Sequence, residues 1–164
     1  MSPNDPNESS LSNLSPYRLQ ESENGYVFET DFGTIYELVF RDDADYFPGE
    51  DFLGPILSFA IALLDGEESA KDPKVEDTVA YVLQHTFEAN PQTIISYTCY
   101  TSDGKAAARS RKFRIWYSRK GVREYERLEY ENKDTALYAA VLFKKSHPFE
   151  KEIRRMFGYT YANK

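Results

Sequence analysis

The chain has 164 residues, of which 41% are hydrophobic and 29% charged, and its net charge is −7. That length suits a single domain that buries its core without a metal or disulfide staple, and the acidity argues against bulk attraction to nucleic acid or to an anionic membrane. One cysteine, Cys99, excludes an internal disulfide, and one cysteine with two histidines leaves too few soft ligands for a structural zinc site.

Met1 is followed by Ser, Pro, Asn and Asp rather than by a basic stretch and an apolar run, so no secretory signal is read there. The longest apolar stretch, Ile56 to Leu64, is interrupted by Ser58 and falls far short of the roughly 20 residues that span a bilayer. A cytoplasmic protein without a membrane anchor is expected.

Residues 1–16 hold Pro, Asn, Ser, Asp and Glu with only Leu11 and Leu14 as apolar points, and read as a disordered tail before a domain spanning 17–164. Tyr26–Thr30 and Thr34–Phe40 then read as two strands. Tyr36, Leu38 and Phe40 alternate on one face, with Glu37 and Arg41 on the other. Asp31-Phe32-Gly33 between them predicts a hairpin, with Gly33 supplying the positive φ of the turn.

Residues 41–54 are acidic and turn-rich and read as a solvated loop. Its carboxylates Asp42, Asp43, Asp45, Glu50 and Asp51 do not follow the spacing of a calcium loop. Ile56–Leu64, opened by Pro55 and closed by Asp65-Gly66, reads as a strand buried on both faces. Val75, Thr78, Val79, Val82, Leu83 and Thr86 recur at helical spacing, which predicts a helix over 74–89. Asp72-Pro73 supplies its N-cap and first position, and Asn90-Pro91 ends it.

Thr93–Tyr100 is β-branched and aromatic and reads as a strand. Asp103 caps a second helix to about Tyr117, with Ala106, Ser110, Phe113 and Tyr117 on one stripe and Gly121 as a stop. Glu124–Glu131 reads as an exposed charged strand, Thr135–Phe143 as a buried one and Phe149–Phe157 as a final helix. The predicted class is α+β: a largely antiparallel sheet in the order β-β-β-α-β-α-β-β-α, with helices packed mainly on one face.

Three stretches carry a resemblance. They are Tyr26-x-Phe28-x-Thr30-x-x-Gly33-x-x-Tyr36-x-x-x-Phe40; Ser96-Tyr97-x-Cys99 with Ser102-Asp103-Gly104, Arg109-Ser110-Arg111-Lys112-Phe113 and Trp116-Tyr117; and the apolar strand before His147-Pro148. Together, over roughly residues 17–158, they resemble a family of small uncharacterised bacterial α+β proteins. The resemblance implies no activity and assigns no site residues.

The most informative chemical feature is a charge block. From Gly104 to Arg123 stand Lys105, Arg109, Arg111, Lys112, Arg114, Arg119, Lys120 and Arg123, eight basic residues with no acidic one. The rest of the chain carries twelve basic residues against all 27 acidic ones, a net of −15. A helix this basic in a chain this acidic creates a local field. Arginine recognises phosphate and carboxylate in bidentate fashion, the helix N-terminus at Asp103-Gly104 presents free amides, and Trp116 and Tyr117 offer a stacking face. The competing reading is structural: the stems of these residues lie over the core edge, and the acidic loop or the Glu-rich strand neutralises them within the fold.

The remaining candidates read as structural. His85 lies near a helix C-terminus, where a cationic ring is favoured. His147 reads as a turn residue, and Cys99 as a buried strand thiol whose flanks match no protease signature. No phosphate loop, dinucleotide fingerprint or nucleophile elbow is present, and no cofactor is implied. A non-enzymatic module binding an acidic protein partner is therefore expected, ahead of nucleic-acid binding through the same helix and of an enzyme with an unrecognised site.

Overall fold

A computed structural model describes residues 14–67, 72–100, 124–135 and 137–162. The tail through residue 13 and the expected second helix lie outside the described residues. Seven strands form one mixed, mostly antiparallel sheet: β1 (Gln20–Ser22), β2 (Gly25–Glu29), β3 (Ile35–Asp42), β4 (Ile56–Asp65), β5 (Ile94–Tyr100), β6 (Tyr125–Asn132) and β7 (Leu137–Lys144). Two helices, α1 (Pro73–Ala89) and α2 (Glu150–Tyr161), complete the described elements, so the class is α+β.

The spatial order is β1-β2-β3-β4-β5-β7-β6. It joins two antiparallel units, β1–β4 and β5–β7–β6, through one parallel ladder between β4 and β5. A parallel pair needs a crossover, and α1 supplies it.

Local chemistry accounts for the best-read elements. The β2–β3 turn closes through Thr30 N–H to Thr34 O at 2.8 Å and Gly33 N–H to Thr30 O at 3.0 Å, with Gly33 at φ 82°. The Thr30 hydroxyl accepts from the Thr34 amide at 3.1 Å, which holds the turn from within. Asp72 caps α1 by accepting the Lys74 amide at 3.1 Å, and Pro73 takes the first helical position, where a missing N–H costs nothing. Val75, Thr78, Val79, Val82 and Phe87 form the buried side of α1.

The core lies on both faces of the sheet. On one, α1 packs against Phe28, Tyr36, Leu38, Phe59, Ile95, Tyr97, Tyr138 and Leu142. On the other, Ile153, Met156 and Phe157 of α2 pack against Ile56, Ile94, Val141 and Phe143. Neighbours such as Ile94 and Ile95, or Val141 and Leu142, therefore serve opposite cores, as period-two alternation requires.

Several expectations need correction. The two described helices occupy opposite faces rather than one. A further strand, β1, precedes the hairpin; its three polar residues carry no pattern of their own, and pairing with Val27, Tyr26 and Gly25 defines them. β4 is a strand but is not buried on both faces: Ile56 and Phe59 are covered, whereas Leu63 and Leu64 are about half exposed, at 47% and 54%. The acidic loop is not simply solvated, because it folds through short 3-10 turns (Ala44–Tyr46 and Asp51–Leu53) around fully buried Phe47 and Leu53.

Candidate functional site

The residues of the predicted cationic site, Lys105, Arg109, Arg111, Lys112, Arg114, Trp116, Arg119, Lys120 and Arg123, lie outside the described residues. What the structure does describe is the frame on which that stretch is mounted. It follows β5 and precedes β6, two strands that are parallel to each other because each pairs antiparallel with β7 between them.

Three of the carboxylates proposed to neutralise this stretch have described ion-pair partners. Glu126 meets Arg154 at 3.2 Å, and Glu129 meets Arg127 at 3.1 Å and accepts from the Tyr138 hydroxyl at 3.0 Å. Glu50 of the acidic loop lies 3.6 Å from Arg155.

The two histidines are not brought into a common site. His85 stands exposed on α1, edge-on to Tyr81, with Nδ1 3.9 Å from Glu88. His147 is buried in the turn between β7 and α2. Its Nδ1 accepts the Phe149 amide at 3.0 Å, so Nε2 carries the proton and donates to the Gln92 carbonyl at 3.0 Å. Both ring nitrogens are thus committed to backbone, which is a structural role. Cys99 is a β5 residue opposite Tyr138 in the ladder. Among the described residues no group of three or more His, Cys, Asp or Glu could hold a metal ion, and no helix is long and apolar enough to cross a membrane.

One cleft escaped sequence reading because four elements and a loop build it. It has a volume of about 520 Å³ and, among the described residues, is lined by Asp43 and Tyr46 from the acidic loop, Ser58, Phe59 and Ala60 from β4, Ser96 and Thr98 from β5, Leu137 from β7, and Thr160 and Tyr161 from α2. Ser96 is 2% exposed, and its hydroxyl donates to Asp43 Oδ2 at 3.1 Å. The Tyr46 and Tyr161 hydroxyls are hydrogen-bonded to each other, and the Tyr161 ring stacks on Tyr130 at 4.8 Å. Thr160 donates to the Met156 carbonyl at 2.8 Å. A signal was present in the sequence: the face that begins with Ile56 and Ile94 turns to Ser58, Ser96 and Thr98 two residues later. Without the register, those hydroxyls are ordinary strand residues.

Residues 71–158, more than half of the chain, match a family of unknown function (DUF6169), and the protein belongs to that family. The match takes in α1, β5, β6 and β7 and most of α2, together with the cationic stretch. No curated protein matches the chain.

Proposed function

We propose that this protein is a non-enzymatic binding module that engages an acidic protein partner through the cationic stretch Lys105–Arg123. The observation that carries this reading is charge segregation: eight basic residues without an acidic one, in a chain whose remainder carries a net of −15. An isolated field of that kind raises encounter rates with a complementary surface and disfavours like-charged partners. Arg109, Arg111 and Arg114 bind carboxylates bidentately, Lys105, Lys112, Arg119, Lys120 and Arg123 extend the field, and Trp116 supplies an aromatic anchor of the kind enriched at interfaces. One cysteine and the lack of a long apolar run fit a cytoplasmic setting for this module.

The test is partner capture with the wild type beside an Arg109→Glu/Arg111→Glu/Arg114→Glu variant. Partners should be lost from the variant; retention of every partner would overturn the reading. A second reading, nucleic-acid binding, draws on the combination of arginines with Trp116 and Tyr117. It predicts retention on heparin and short nucleic acids that falls steeply with salt and disappears in the same variant. An enzymatic reading has the least support, since the one buried serine of the cleft pairs with a carboxylate rather than with an imidazole.

A further inference from the structure

We infer that the cleft between β4 and β5 binds a polyhydroxylated small molecule of the sugar or polyol class. The inference is argued from described residues of the sheet, the acidic loop and α2.

The position follows from the sheet. The parallel ladder holds for three pairs, Ile56↔Ile94, Leu57↔Ile95 and Ser58↔Ser96. Beyond them β4 stays laddered to β3 and β5 to β7, and the cleft's β4 and β5 residues, Ser58 to Ala60 with Ser96 and Thr98, lie where the parallel ladder ends. In sheets with parallel strands, ligands gather where neighbouring strands diverge at their carboxyl ends, because strand ends and loops there surround a gap that the ladder no longer fills. The volume of about 520 Å³ falls within the range of small-molecule sites.

The ligand class follows from the lining. Ser58, Ser96 and Thr98 line it from the sheet, Thr160 and Tyr161 from α2 and Tyr46 from the acidic loop, so hydroxyl-bearing residues form most of its described lining. Hydroxyls both donate and accept, which matches a ligand whose own polar groups do the same. Asp43 adds a carboxylate oriented by Ser96, and a carboxylate has capacity for further hydroxyl donors.

The test is amide-resolved NMR titration of the full chain with glucose, galactose, ribose and myo-inositol, with spermidine and inorganic phosphate as charged probes. At least one of the four polyols should shift the Ser96, Thr98 and Thr160 resonances saturably. Asp43→Asn and Tyr161→Phe should each weaken that binding about tenfold while the spectrum stays dispersed. Should Asp43→Asn lose its fold, Thr98→Val removes a lining hydroxyl at an exposed position and should weaken binding in the same sense. Saturable shifts from none of the four, equal binding by the variants, or shifts confined to spermidine or phosphate would each overturn the inference.

Discussion

The Tyr17 hydroxyl donates to Asp72 Oδ2 at 2.7 Å, while Oδ1 of the same carboxylate accepts the Lys74 amide at 3.1 Å and caps α1. The phenol also accepts the Asp31 amide at 3.2 Å, and the Tyr17 backbone N–H reaches the Thr78 hydroxyl at 2.8 Å. One side chain therefore ties the chain entering the sheet, the hairpin tip and the helix start together. Tyr17→Phe should cost about 1–2 kcal/mol and Asp72→Ala about 2–3 kcal/mol, since the latter removes the cap as well. The two losses should not add in the double variant, because they share a hydrogen bond. Urea midpoints of the four proteins check this.

Burial, with the Asp72 carboxylate adding to it, pushes the Tyr17 phenol up to about 12. Burial beside Glu124 and Glu88 does the same to Tyr125. A phenol that ionises later in the folded than in the unfolded state gives stability that is complete below the unfolded value near 10 and is lost as pH rises toward 12. Folding stability should thus fall between about pH 10 and 12. Tyr17→Phe should flatten part of that fall. Phenolate absorbance should show Tyr17 and Tyr125 ionising late, and Tyr17→Phe should lose part of that late absorbance.

His147 should behave as a structural clamp. His147→Ala leaves the Gln92 carbonyl and the Phe149 amide without their partners and opens a gap beside Phe143, whose ring lies 6.3 Å away. A loss of about 2–4 kcal/mol is expected. Thermal denaturation measures it; a melting temperature equal to wild type would contradict the assignment.

Gly54 sits at φ 114° and ψ −177°, a region closed to other residues, and a Cβ there would meet the Gln92 carbonyl oxygen at 2.6 Å. Gly54→Ala should therefore destabilise by about 2–4 kcal/mol. The loss should overlap with that of His147→Ala, because Gln92 is common to both. A double-mutant cycle followed by chemical denaturation tests the coupling.

The elements that were legible in the sequence are those whose determinants are local. Gly33 and the two threonines around it specify a turn, and Asp72-Pro73 starts a helix whose valines recur every three or four residues. What escaped depends on partners distant in the chain. Phe47 and Leu53 are surrounded by acidic and turn residues, so nothing nearby announces that each is fully buried. β1 has no alternation to read. The assignment of α2 to the face opposite α1 turns on whether Ile153 meets Val141 or Leu142, a choice that adjacent positions of one strand cannot disclose. The cationic stretch was visible as charge, whereas the cleft was invisible because Asp43, Ser96 and Tyr161 become neighbours only after folding.

The core shared by α1 and the sheet also bears on how the family's sequence relates to a folding unit. The family match begins at residue 71, just before α1, so β1 to β4 fall outside it. Yet Val75, Val79 and Val82 belong to the same cluster as Phe28, Tyr36, Leu38 and Phe59, all from the strands before the match. A fragment confined to 71–158 would present that helix face to water and end within α2, before Tyr161 reaches Tyr46. The stretch recognisable as the family is thus narrower than the unit that can fold, and the N-terminal meander is a required half of the domain rather than an appendage to it.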